Sequence, residues 1–189
     1  MKKNEGKKNY IGGGEESYGF LCEDFVRDKD AVSACAILAE IAAWAKDQGI
    51  TMYQLLQNIY VQYGFSKEKG ISVVKKGKSG AEEMMKHFRE NPLQEIAGSK
   101  VTLFYDYASL KGKDYVENET LTLDMPTTSN VLQYFTEDGT KVSIRPSGTE
   151  PKIKFYCEVH SKVKSLDELP AAEKAGAEKI EAIKASLGI

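Results

Sequence analysis

Across residues 30–48 the sequence sets Ala31, Val32, Ala34, Cys35, Ile37, Leu38, Ile41, Ala42, Trp44 and Ala45 around a helical repeat with almost no polar side. A surface helix keeps one polar face, so a helix that is apolar all round demands cover on most sides. Asp28 or Asp30 supplies its N-cap and Gly49 its stop. Thr51 and Gln54 then make a capping-box pattern, and Leu55, Leu56, Ile59, Tyr60 and Tyr63 form one apolar stripe ending at Gly64. This second helix is amphipathic. Residues 65–70 are short, charged and closed by Gly70, and the domain boundary is expected there, separating residues 1–69 from 70–189.

Beyond that boundary the pattern changes. Residues 71–74 read as a strand, Ser79 with Glu82 as the cap of a helix carrying Ala81, Met84, Met85 and Phe88, and Pro92 as its stop. Over residues 100–107, Val101, Leu103, Tyr105 and Tyr107 alternate with Thr102, Phe104 and Asp106, predicting a strand with one wetter face. Residues 108–130 read as loop. Residues 131–135 and 141–144 flank Glu137-Asp138-Gly139-Thr140, whose Asp-Gly pair signals a hairpin. Ile153, Phe155, Cys157 and Val159 alternate with Lys154, Tyr156, Glu158 and His160, sending one set to a core and the other to solvent or a cleft. A last helix from about Pro170 aligns Ile180, Ile183 and Leu187 and stops at Gly188. This order predicts an α+β fold, an antiparallel sheet with helices on one face.

Between the last two predicted strands lies Arg145-Pro146-Ser147-Gly148-Thr149-Glu150-Pro151. Arg145 offers a planar, permanently charged fork, Ser147 and Thr149 offer hydroxyl donors, and Gly148 lets the backbone turn its N–H groups toward an anion. The two prolines stiffen the loop, which lowers the entropy lost when a ligand is held. The heptapeptide reads as a phosphate cradle or, on these residues alone, as a polar turn with an arginine at its edge. Near the start, residues 9–11 read as a strand end running into Gly12-Gly13-Gly14. After it, the carboxylates of Glu15 and Glu16 beside the Ser17 hydroxyl suit a hydroxyl-rich ligand or a solvated acidic turn.

The heptapeptide, continued by Lys152-Ile153-Lys154-Phe155, resembles the phosphate-binding loop in the last domain of the α-D-phosphohexomutases, the phosphoglucomutases and phosphomannomutases. Gly13-Gly14-Glu15-Glu16-Ser17-Tyr18-Gly19-Phe20 is similar to the sugar-recognition loop of that family's third domain, and the likeness continues through Val26-Arg27-Asp28-Lys29-Asp30. The resemblance is closest to the bacterial branch and is that of a C-terminal fragment. It implies part of a third, sugar-binding α/β domain followed by a phosphate-binding fourth domain of TATA-box-binding-protein-like fold. It implies Arg145, Ser147, Gly148 and Thr149 as phosphate ligands, and Glu15 and Ser17 as sugar ligands. Lys29 corresponds to a lysine near the reacting phosphate, although charges at a helix start also serve as plain capping residues.

The implied activity is that of an isomerase of carbohydrate metabolism, interconverting hexose 1-phosphate and hexose 6-phosphate through a bisphosphate. Magnesium would be bound outside this chain, a bisphosphorylated hexose would be the activator, and the remaining N-terminal domains would be partners. The fragment alone is expected to be inactive and to associate with itself through its N-terminal segment.

With 189 residues, 41% of them hydrophobic, and a formal net charge of −2, the chain lacks the basic excess of a sequence-blind nucleic-acid binder. Cys22, Cys35 and Cys157 lack metal-ligand spacing and read as reduced core thiols, and no apolar run reaches the ~18 residues of a membrane span. A cytoplasmic protein with no metal site of its own is expected. The competing reading is a free-standing phospholigand or nucleic-acid binding module, with Tyr105, Tyr107, Tyr134 and Tyr156 as a base-stacking platform. Steep salt dependence of binding would mark that alternative.

Overall fold

The computed structural model describes residues 5–14, 19–23, 27–74, 77–148 and 150–189. Its contacts divide it into two compact units, Met1–Ile59 and Tyr60–Ile189.

In the first unit, β1 (Gly13–Gly14) pairs antiparallel with β2 (Phe20–Leu21), and α1 (Ala31–Asp47) and the first part of α2 (Met52–Tyr63) follow. The short ladder falls on the glycines themselves rather than on residues 9–11, where a strand end was expected. Tyr10 packs its hydroxyl against Gly13, where a Cβ would lie 2.6 Å from it. The N-cap of α1 is Asp30, whose carboxylate accepts from Val32 N at 2.9 Å and Ser33 N at 3.1 Å. These donors hold the Asp30 carboxyl below its ordinary range, the Val32 N–H most strongly. Thr51 and Gln54 form the reciprocal box that opens α2, with Thr51 N to Gln54 Oε1 at 2.8 Å and Gln54 N to Thr51 Oγ1 at 3.1 Å.

Cover on α1 is much less complete than its composition demands. Ala45 is its one buried residue, while Val32 (78% exposed), Leu38, Ile41 and Trp44 (52%) stay open, as do Met52, Tyr53, Leu56 and Ile59 of α2. Cys35 is also exposed, against the expectation of a core thiol. Among the described residues of the first unit, the sheet is the two-stranded β1–β2 ladder, too narrow to cover this helix.

The second unit is built on one antiparallel sheet in the order β3-β10-β9-β8-β5-β6-β7. Its strands are β3 (Phe65–Val74), β5 (Ser99–Asp106), β6 (Lys111–Asp114), β7 (Glu119–Thr122), β8 (Leu132–Thr136), β9 (Lys141–Pro146) and β10 (Lys152–Ser161), and the short β4 (Glu95–Ile96) pairs with β5. The helices α3 (Gly77–Glu90) and α4 (Leu169–Leu187) pack on one face, over Leu132, Tyr134, Val142, Ile144, Ile153, Phe155 and Cys157, all essentially fully buried. This is the predicted α+β arrangement. Burial pushes the Cys157 thiol up to about 11, as expected of an inert core thiol. Gly188, at φ 67°, ends α4 where its pattern required.

Four local expectations are corrected. Residues 65–70, read as a charged connector, are the first part of β3, an edge strand whose Lys67, Glu68 and Lys69 masked its alternation. Residues 108–130, read as loop, contain the β6–β7 hairpin, with Asp114 Oδ1 accepting from Val116 N and Glu117 N in the turn. The buried set of β5 is Ser99, Val101, Phe104 and Asp106, because a bulge between Val101 and Leu103 shifts the alternation and turns Leu103 and Tyr105 to the other face. And α3 begins at Gly77, so Ser79 lies within it rather than at its cap.

The Asp138-Gly139 turn closes the β8–β9 hairpin as predicted, with Gly139 at φ 82°. Asp138 Oδ1 accepts from Thr136 Oγ1 at 2.6 Å and Thr140 N at 3.1 Å, and its Oδ2 pairs with Lys179 of α4 at 2.8 Å. Burial opposes its charge, but Lys179, Thr136 and Thr140 together outweigh burial and hold the carboxyl well below the usual range. A depressed folded-state pKa contributes stability above the unfolded value of about 4 and loses it as pH falls toward the folded one. Urea midpoints of the parent chain should therefore fall more steeply below about pH 4 than those of Asp138→Asn. Parallel curves would show that the Lys179 tie contributes nothing.

Candidate phosphate-binding site

Of the cradle residues, Arg145 lies near the end of β9, and Ser147 and Gly148 lie in the loop that joins β9 to β10. Along β9, Val142 and Ile144 face the helices, so Lys141, Ser143 and Arg145 face away from them, and along β10 Lys152, Lys154, Tyr156 and Glu158 do the same. Arg145 is exposed and lies directly opposite the half-buried Lys154 in the ladder, which brings two cations to one side of the sheet at its end.

The loop between them is tied to itself. Ser147 N donates to Lys152 O at 2.8 Å, Lys152 N to Glu150 O at 2.8 Å, and Glu150 N to Ser147 Oγ at 3.3 Å. The Ser147 hydroxyl hydrogen is left to serve another acceptor. Lys152 Nζ pairs with Glu150 Oε2 at 2.7 Å. Gly148 is exposed, its φ is not positive, and a Cβ added there would meet nothing within 4 Å. The turn itself does not require this glycine, and the space beside it lies open to a ligand.

Behind Arg145 a polar strip crosses three strands on the same face. Tyr107 Oη donates to Gln133 Oε1 at 2.8 Å, and Gln133 Nε2 donates to Ser143 Oγ at 3.0 Å. Farther along, Glu158 pairs with Lys141 and, at 2.7 Å, with His160. Tyr105 and Tyr107 share this strip, but Tyr134 does not. It is fully buried on the helix face and donates to Phe88 O at 2.9 Å, so the four-tyrosine platform of the nucleic-acid reading does not form. The sequence singled out Arg145, Ser147 and Gly148 together, and the structure brings them together. The Glu150–Lys152 pair and the Gln133–Ser143 link went unnoticed. Their signal was an acidic and a basic residue two apart around Pro151, and polar residues at outward positions of β8 and β9.

Thr149, Glu15 and Ser17 lie outside the described residues. Lys29 belongs to the first unit, exposed beside the Asp30 cap, with its N–H donating to Asp28 Oδ1 at 2.8 Å. Among the described residues no group of three His, Cys, Asp or Glu is arranged to hold a metal ion, and no helix is long and apolar enough to cross a membrane. A cavity of about 600 Å³ lined by Glu83, Met84, His87, Phe88, Leu93 and Leu187 lies against α3 and α4 and contains none of the cradle residues.

Two family models match the chain: phosphoglucomutase/phosphomannomutase alpha/beta/alpha domain III over residues 1–63, and the phosphoglucomutase/phosphomannomutase C-terminal domain over residues 89–176. A phosphoglucomutase of Staphylococcus aureus strain MRSA252 is 39% identical over 159 residues, 82% of this chain and 28% of the relative. One from Staphylococcus haemolyticus is 37% identical over 145 residues, 75% of this chain and 26% of the relative. The chain thus spans less than a third of the length of these relatives. The open-form crystal structure of the Paramecium phosphoprotein pp63/parafusin, a phosphoglucomutase, aligns with a TM-score of 0.50 at 21% identity, over 91% of this chain and 30% of that one, a likeness of fold alone.

Proposed function

This chain belongs to the phosphoglucomutase/phosphomannomutase family, carrying parts of its third and C-terminal domains, and from that premise we propose that it is the sugar-phosphate recognition part of a phosphohexomutase. In this reading the parent enzyme is a cytoplasmic isomerase that interconverts hexose 1-phosphate and hexose 6-phosphate through a bisphosphate. The sugar-binding domain of this reading lies within residues 1–69 and the phosphate-binding domain within 70–189, although β3 (Phe65–Val74) spans that boundary as an edge strand of the second unit's sheet.

The observation that carries the reading is the pairing of Arg145 with Lys154 at an exposed hairpin tip, next to a free serine hydroxyl hydrogen and an open glycine. A phosphate suits such a set: a bidentate guanidinium, a second positive charge, a hydroxyl donor and open room beside the loop. Because the sugar must present either end to the chemistry, the cradle holds whichever phosphate is not reacting. Thr149 completes it. Glu15 and Ser17 are the sugar ligands of this reading, and Lys29 is its contact to the reacting phosphate. Magnesium and the phosphorylated nucleophile belong to the other domains of the parent. The Asp30 carboxylate already serves two helix N–H groups, which leaves it poorly suited to a magnesium ion.

Titration with glucose 1-phosphate, followed by amide NMR, should shift the signals of Ser147, Gly148, Glu150 and Lys152 in one saturable step. Shifts confined to other regions would oppose the assignment.

The open apolar side chains of α1 and α2 form the basis for a second expectation. Exposed apolar patches of this extent are rare in soluble monomers, so the isolated chain self-associates through its N-terminal segment. Light scattering should show mass rising with concentration. A strict monomer that binds no dye specific for apolar surface would rule this out.

A further inference from the structure

The cradle contains a carboxylate that an anion site does not need. Lys152 and Lys154 lie on the same face of β10, about 7 Å apart along the strand, and Lys154 is the ladder partner of Arg145. Through its 2.7 Å contact with Lys152, the Glu150 carboxylate is drawn into this cationic cluster. Its backbone is fixed there independently of the side chain, by Glu150 N to Ser147 Oγ and Lys152 N to Glu150 O.

We propose that Glu150 is a built-in counter-anion of the cradle, pairing with Lys152 while no phosphate is bound and so limiting how tightly a phosphate is held. The inference rests on the cradle reading above and extends it to the control of affinity. An arriving phosphate either displaces the Glu150 carboxylate from Lys152 or binds against its charge, and both weaken the hold. A mutase that must let a bisphosphorylated sugar go and take it back by its other end gains from that restraint, since tight holding of every state slows release without lowering the chemical barrier.

The test is calorimetric titration of the full chain with inorganic phosphate at pH 8, comparing the parent with Arg145→Ala, Glu150→Gln, Lys152→Met and the double variant Glu150→Gln/Lys152→Met. Glutamine keeps both backbone bonds of residue 150, so the loop retains its shape. Glu150→Gln is expected to bind phosphate at least about threefold more tightly, and Lys152→Met to weaken binding more in the Glu150→Gln background than in the parent. If Arg145→Ala weakens binding while Glu150→Gln leaves it unchanged or weaker, the counter-anion role is overturned and the cradle stands. If Arg145→Ala binds phosphate as well as the parent, the cradle falls and the counter-anion with it.

Discussion

Supplied with glucose 1-phosphate, magnesium and a bisphosphorylated hexose, the 189-residue chain alone is expected to turn over nothing above a buffer blank. Phosphoryl transfer requires a nucleophile that carries the phosphate and a divalent cation that neutralises charge in the transition state. The nearest acidic pair, Asp28 and Asp30, is engaged at the start of α1: Asp28 accepts from Lys29 N, and Asp30 accepts from Val32 N and Ser33 N. His160 is paired with Glu158, His87 lies exposed on α3 beside the cavity, and among the described residues neither imidazole is hydrogen-bonded to a serine hydroxyl. Groups that recognise a substrate without a nucleophile hold it but do not divide the reaction into two transfers. The effect is as large as catalysis itself, which spans at least about six orders of magnitude in enzymes generally. A coupled assay measures it. Addition of the family's N-terminal domains should restore turnover, whereas activity of the chain alone that persists through further purification would contradict the fragment reading.

Replacing Phe155 by alanine is expected to have the largest effect on stability, about 3–5 kcal/mol. Its side chain is fully buried in the inner strand β10, meets Phe88 of α3 edge-on with ring centroids 6.0 Å apart, and lies between Ile144 and Ile71 in the ladders on either side. Truncation would open a void where sheet and helix meet, and the rigid ladders leave little room to close it. Against a total of about 5–15 kcal/mol for a typical domain, this is enough to bring the second unit near its unfolding threshold. Urea denaturation gives the value, and a loss below about 1 kcal/mol would mean that the core closes around the void. Since Lys152 and Lys154 stand on the same strand, the cradle should lose its phosphate affinity together with the fold.

The second unit was legible wherever one physical pattern acted alone. The alternation of residues 153–159, the Asp138-Gly139 turn and the apolar stripe of α4 ending at Gly188 each appear as read. Reading failed where two patterns competed. In β3 the charges of an exposed edge overlay the strand period, and in β5 one bulge moved Phe104 and Asp106 inward and Tyr105 outward. In the first unit the apolar circumference of α1 was plain, but its cover was not, because cover depends on elements distant in sequence. The cradle was legible as a chemical inventory, Arg145, Ser147 and Gly148 in seven residues. Its internal ties were not, since the Glu150–Lys152 pair depends on how the loop folds back on itself.

The most direct test is calorimetric titration of glucose 1-phosphate into the parent chain and into Arg145→Ala. Loss of a charge-assisted bidentate contact should weaken binding by roughly 1.5–3 kcal/mol, about ten- to a hundredfold, with the urea midpoint unchanged because Arg145 is exposed and outside the core. Equal affinity in the two proteins would contradict the assignment of this hairpin tip as the phosphate site.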